Sequence, residues 1–110
     1  MNVPTFQELN LLHSNVCQAL GDPKRIMILY ELNERPRNVS ELARDLEMPQ
    51  PTVSRHLRVL RQRALVRPER DGASVYYHLT DQRMIEILNQ MRLVLRGSLA
   101  RQSSFLNADA

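Results

Sequence analysis

Cysteine is all but missing from this 110-residue chain, with Cys17 standing alone. One cysteine cannot staple its own chain, so a disulfide scaffold and a thiolate-cluster zinc site are both excluded. Glycine is scarce as well, and Gly21, Gly72 and Gly97 each fall where an element should end or turn. No Gly/Ser linker, repeat or low-complexity tract occurs. No run of about 18 apolar residues is present, so no membrane-spanning helix is expected. Met1 to Glu8 lacks a basic stretch followed by an apolar one, so no secretory leader is expected either. A cytoplasmic protein follows from these readings. Glycine-rich phosphate loops, zinc-protease patterns and nucleophile elbows are missing, which points away from an enzyme and from a cofactor. Lysine occurs once, at Lys24, and every other base is arginine. Arginine suits two-pronged contacts to phosphate or guanine.

What is present is a succession of short periodic segments, enough for one domain and too few for two. Phe6, Leu9, Leu12, Val16 and Leu20 recur at helical spacing, and Gly21 closes that helix. Asp22-Pro23 reads as an N-cap with proline at the first helical position. The helix after it carries Ile26, Met27, Leu29, Tyr30 and Leu32, and ends before Arg35-Pro36. Asn38 and Glu41 have capping-box spacing for a short helix over about 39–46, with Ser40 a competing cap. Met48-Pro49-Gln50-Pro51 is a tight break. Another helix then runs to about Arg63, with Val53, Leu57 and Leu60 as its apolar stripe.

The period changes after that. Leu65 to Glu69 is a short strand, Arg70-Asp71-Gly72-Ala73 a turn, and Ser74 to Leu79 a β-branched and aromatic strand. Thr80 or Asp81 caps a last helix carrying Met84, Ile87, Leu88, Met91, Val94 and Leu95. Gly97 is expected to end it, leaving residues 98–110 as a polar, frayed tail behind a single domain over 1–97. The order α-α-α-α-β-β-α is mainly α with a small β-hairpin, the pattern of a winged helix-turn-helix. The apolar stripes of the first and last helices are expected to pair a homodimer across a two-fold axis.

Charge singles out one stretch. Residues 50–70 hold Arg55, Arg58, Arg61, Arg63, Arg67 and Arg70 against one acid, Glu69, a surplus of five in a chain whose net charge is +3. A helix and a hairpin that concentrate positive charge in this way suit duplex DNA. The helix is narrow enough for a major groove about 12 Å wide, and Gln50, Thr52, Ser54 and Arg55 on its leading turns carry base-reading groups. Arg58 is a further candidate DNA contact, and His56 a phosphate contact or a packed polar residue. Arg67 and Arg70 are placed to reach backbone or an adjacent minor groove.

Ser40-Glu41-Leu42-Ala43, Gln50-Pro51-Thr52-Val53-Ser54-Arg55-His56-Leu57, Leu60-Arg61, Leu65-Val66 and Val75-Tyr76-Tyr77-His78-Leu79 together resemble the arsenic-repressor (ArsR/SmtB) family. Ala19-Leu20-Gly21-Asp22-Pro23-Lys24-Arg25 is similar to that family's opening of the second helix. The resemblance covers roughly residues 12 to 96. It implies a homodimeric winged-helix transcriptional repressor, with residues 50–62 as the recognition helix and 66–79 as the wing. The two-fold pairing of such a dimer is expected to set two recognition helices over an imperfect palindromic operator. Members commonly carry a capping serine where Pro49 stands. Pro51, by fixing φ, or Gln50, by meeting free amides, is the available compensation.

The family's metal sites are not matched. Glu41-Leu42-Ala43-Arg44-Asp45-Leu46 has no cysteine. At the last helix Asp81 matches, but Arg83, Val94 and Gly97 occupy the other ligand positions, so no metal is expected there. His13 and Cys17, four apart on the first helix, offer a redox- or metal-responsive alternative. The blander reading is a buried, inert Cys17 beside an exposed His13. A second alternative is a winged-helix protein-interaction module, which would show acid or large exposed apolar residues on the recognition helix.

Overall fold

Local signals set most boundaries. The structure, a computed structural model, describes residues 2–108. Helix α1 spans Phe6–Leu12, α2 Pro23–Glu34, α3 Val39–Leu46 and α4 Gln50–Gln62. Strands β1 (Val66–Asp71) and β2 (Ser74–Leu79) follow, then α5 (Arg83–Ala108). Thr5 caps α1 by accepting the Glu8 amide, and Asp22 caps α2 by accepting the Lys24 amide at 2.9 Å, with Pro23 opening the helix. The α3 capping box is complete: Glu41 N donates to Asn38 Oδ1 at 2.8 Å, and Asn38 N to Glu41 Oε1 at 3.2 Å. Ser40 is not the cap.

The first helix departs from the single run expected over residues 6–20. After α1 the chain passes through a π-turn, His13–Cys17, and a 3₁₀ turn, Ala19–Gly21. Ser14 Oγ donates to the Asn10 carbonyl at 2.9 Å and Asn15 Nδ2 to the Leu11 carbonyl at 2.8 Å. These side chains add a second donor to the carbonyls just before the stretch where the ladder slips to the π register, closed by Gln18 N on the His13 carbonyl at 2.9 Å.

Two compact units divide the chain between Thr80 and Asp81. The first holds the helix-turn-helix and the hairpin around a core of Ile28, Leu29, Leu32, Leu42, Val53, Leu57, Leu60 and Val66. Ile28 rather than Met27 enters the core, since positions 28, 29 and 32 share one face of α2. Met27 instead lines a shallow apolar groove of about 380 Å³ with Pro23, Ile26, Tyr30 and Leu46.

The hairpin pairs Val66 with Leu79 through to Asp71 with Ser74, leaving Gly72-Ala73 as a two-residue loop. Gly72 takes φ 62°, the left-handed value its first loop position needs. A third backbone segment joins this sheet. Tyr77 N donates to Arg37 O at 2.9 Å and Arg37 N to Tyr77 O at 3.3 Å, so the loop before α3 edges β2.

The second unit is one long helix, about 39 Å at 1.5 Å per residue. Met84, Ile85 and Leu88 are buried. The expected stop at Gly97 is not observed, and 98–108 is helical rather than a frayed tail. One glycine costs a helix only about 1 kcal/mol, and no proline follows to end it. Residues 109–110 of the expected tail lie outside the described residues.

Candidate nucleic-acid interface

The turn into α4 is built without glycine and without a side-chain cap. Glu47 ends α3 in the left-handed region, φ 53° and ψ 47°, and Met48 N returns to the Ala43 carbonyl at 2.9 Å. Pro49 stands at the N-cap, where it supplies only its carbonyl, which accepts from Thr52 N at 3.0 Å and Val53 N at 3.2 Å. Pro49 and Pro51 have no amide hydrogens. Among the described residues of this turn, the Gln50 amide is therefore the donor left for an outside acceptor. The proline pair removes the demand that a serine would satisfy. The Gln50 side chain reaches back instead to Ser40 Oγ at 3.3 Å, bracing α4 against α3.

At 100° per residue, Val53, His56, Leu57 and Leu60 fall on one stripe of α4, and all four are buried. Pro51, Arg55, Arg58 and Gln62 fall opposite and are exposed, with exposed Ser54 and half-buried Thr52 flanking them. Thr52, Ser54, Arg55 and Arg58 thus lie on the open side of one helix, whereas Gln50 falls beside the buried stripe and turns toward α3.

His56 is the exception among the expected contacts. It is 8% exposed, its Nδ1 lies 3.3 Å from Arg25 Nη1, and its Nε2 lies 3.9 Å from Asp22 Oδ2. Its position three residues after Val53 turns it inward, so it packs α4 against the start of α2 and is withdrawn as a phosphate contact. Burial is the largest influence on it and pushes its imidazole below its ordinary pKa. Asp22 opposes that push, and Arg25 and Arg55 reinforce it. Arg25 also donates to the Ala19 carbonyl at 2.6 Å and the Gln18 carbonyl at 3.1 Å.

The wing arginines are not equivalent. Strand alternation places Arg67, opposite His78, and Arg70, opposite Val75, on opposite faces of the ribbon. Arg67 Nη1 pairs with Glu69 Oε2 at 3.1 Å, and His78 Nε2 is 3.1 Å from the same oxygen. Arg70 is exposed beside the hairpin loop and has no ion pair among the described residues.

The remaining arginines of the first unit form a contrast. Arg35 pairs with Glu41, Arg44 with Asp45, and Arg37 with Glu31, Glu34 and Asp45. Arg55, Arg58, Arg61 and Arg63 are exposed and have no acid partner among the described residues. Acid neutralises the arginines around α3 and leaves those of α4 bare. Arg37 was not singled out from sequence, yet it is 4% exposed. The one hint was arginine between proline and a capping asparagine.

Cys17 is exposed, not packed, as is His13. Asp81, the position matching a last-helix metal ligand, is held by Arg83. Nη2 lies 2.7 Å from Oδ2 and the Arg83 amide 2.9 Å from Oδ1, which hold the carboxyl down at about 2. Among the described residues no three metal-ligating side chains gather, and no helix is long and apolar enough to cross a membrane.

Comparison with known proteins agrees with this architecture. Residues 22–67 match the family model described as bacterial regulatory protein, arsR family. The chain is 42% identical over 90 residues to the HTH-type transcriptional repressor SmtB of Mycobacterium tuberculosis, covering 77% of this chain and 67% of that one. It is 37% identical over 73 residues to the regulator KmtR of the same organism, covering 66% and 56%. The match thus spans little more than half of KmtR. Among solved structures, Rv0081 of M. tuberculosis superposes with a TM-score of 0.74 at 34% identity, covering 86% of this chain and 95% of that one. The homodimeric winged helix-turn-helix DNA-binding domain Mb0332 of Mycobacterium bovis gives 0.72 at 26%, covering 90% and 94%. With the helix-turn-helix, the hairpin and these likenesses in agreement, this chain is a winged helix-turn-helix protein and belongs to the arsR family of bacterial regulatory proteins.

Proposed function

We propose that the chain is a sequence-specific transcriptional repressor that binds duplex DNA as a homodimer. The observation that carries this reading is the unneutralised arginine on α4, set against arginines paired with acid around α3. Unpaired guanidinium groups on an exposed helix are ready to displace counterions from phosphate. The helix enters a major groove. Thr52, Ser54 and Arg55 face base edges, Arg58 faces phosphate, and Gln50 steadies the leading turn. Arg70 reaches backbone or minor groove from the wing, and Arg67 contributes less because Glu69 already engages it. The protein-interaction alternative requires acid or large apolar residues on the open face of α4, which carries proline, serine, glutamine and arginine.

Dimerisation is supported by exposed apolar side chains on each unit. Phe6, Leu9 and Leu12 lie on α1, and Ile87, Met91, Val94 and Leu95 on α5. A second copy covering them would set two recognition helices one DNA turn apart, over an imperfect palindrome. Repression inside the cytoplasm completes the reading.

The test is retention of fragmented genomic DNA by the purified protein, followed by footprinting of the bound site. Arg55→Ala is expected to weaken binding to that site by about 10- to 100-fold, and binding to random duplex by less. Equal losses on both would remove Arg55 from base reading, and no retained fragment would sink the DNA reading itself.

A further inference from the structure

Arg37 and His56 are the buried polar side chains among the described residues, and Arg37 carries a full charge. Its Nη1 donates to Glu31 and lies 3.3 Å from Asp45 Oδ2, while Nη2 donates to Glu34 at 3.2 Å. Burial opposes the charge, but Glu31, Asp45 and Glu34 outweigh it and raise the guanidinium above its ordinary range. The same residue is tied through its backbone to Tyr77 in β2. Tyr77 faces Pro68 across the hairpin. In this register Tyr77 and Pro68 form a non-hydrogen-bonded pair of the antiparallel ladder, so the Tyr77 amide and carbonyl point outward to Arg37 and the missing Pro68 amide costs the ladder nothing. The last turn of α2, the end of α3 and the return strand of the wing therefore meet on one side chain and its peptide.

Stability alone is a poor reason for this arrangement. An ion network of this kind can often be replaced by apolar residues of similar volume with little or no loss. Here Nε is also left without a hydrogen-bond partner, a cost an apolar residue would avoid. What an apolar side chain lacks is direction. A guanidinium fork held by three carboxylates from two helices fixes the orientation of the backbone that carries it.

We propose that Arg37 is a positioning residue for DNA binding, fixing through the Arg37–Tyr77 bridge the angle at which the wing stands to the helix-turn-helix. Arg37 itself touches no DNA, and its effect is read at Arg70. The proposal rests on the DNA-binding function proposed above, and its test has one arm that needs no DNA.

That arm is amide hydrogen exchange of free full-length Arg37→Met. The Tyr77 and β1–β2 amides are expected to lose protection by roughly tenfold or more, the worth of a charge-assisted bond. The amides of Leu57 and Leu60 in α4 are expected to keep theirs. The second arm is the salt dependence of duplex binding. Arg37→Met is expected to reduce the log–log slope by about 1, the same reduction expected of Arg70→Ala. Adding Arg70→Ala to Arg37→Met should then cost less than twofold, because the wing contact is already gone. Arg37→Lys keeps the charge without the fork and carries both arms if the Met variant does not fold, with a smaller effect in the same places. Protection lost evenly across wing and α4, protection unchanged in the wing, or fully additive losses with an unchanged slope would each overturn the proposal. If the wild-type protein binds no duplex, the functional reading fails, while the exchange arm still decides whether Arg37 fixes the wing.

Discussion

Glycine usually weakens a fold, but at two positions here it should strengthen it. Glu47 and Ala64 bracket α4 with φ of 53° and 59°, and neither is glycine. The left-handed region costs an L-residue about 1–2 kcal/mol, a cost glycine escapes. Glycine forfeits about 0.5–1 kcal/mol of that through its larger unfolded-state freedom. Both positions are exposed, and neither side chain makes an ion pair among the described residues, so truncation removes no packing to set against the gain. The Ala64 carbonyl keeps its bond from Thr80 Oγ1 at 2.7 Å, which involves backbone only on the Ala64 side. The net is about 0.5–1 kcal/mol of stabilisation for Ala64→Gly and the same for Glu47→Gly. The two sites are separated by the 13 residues of α4, about 20 Å, so their effects should add. For a domain of this size each kcal/mol raises Tm by about 4–8 °C. Circular-dichroism melts at one fixed protein concentration measure this, the concentration being held because association shifts Tm. Arg61→Gly, inside α4 and exposed, is the control and should cost about 1 kcal/mol. A fall in Tm for Ala64→Gly comparable to that of the control would refute the reasoning.

Two further outcomes follow from the same structure. Burial lowers the folded-state pKa of His56, so the unfolded chain takes up its proton first. Its contribution is present above the unfolded pKa near 6.5 and is lost as pH falls below it. Urea midpoints should therefore drop between about pH 7.5 and 5.5, and His56→Gln should flatten that drop; an equally steep profile in the variant would clear His56. Gly97 lies inside α5 at an ordinary helical φ, and an added Cβ would meet only the mobile end of Arg101, at 3.2 Å. Gly97→Ala should stabilise the protein by about 0.5–1 kcal/mol. A loss instead would show that another chain approaches closely at that point.

Much of the candidate interface was legible because the face of α4 it occupies is set by contacts within one helical turn. The 53/57/60 stripe fixes which side of α4 is buried, and its complement fixes which arginines are open. Of the two roles open to His56, phosphate contact or packed polar residue, the packed one holds, because its helical angle falls on the buried stripe. The hairpin was found from Asp71-Gly72, but the loop falls on Gly72-Ala73, since strand register and not dipeptide preference decides which two residues turn. The π-turn coincides with Ser14 and Asn15, whose side chains bond to carbonyls one turn back only once the helix is built.

The sequence alone determined the element order, the capping of α2, and the concentration of arginine on one helix and one ribbon. Each depends on residues no more than four apart, or on composition. Only the tertiary structure decided which arginines are bare and which are spent on acid: Glu34 is a near neighbour of Arg37 in the chain, but Asp45 reaches it only once α3 has packed beside α2. It likewise decided that β2 is edged by the loop before α3 and that Glu47 and Ala64 carry left-handed backbone. Those features are set by where the chain must go to close the core, and no neighbouring residue announces them.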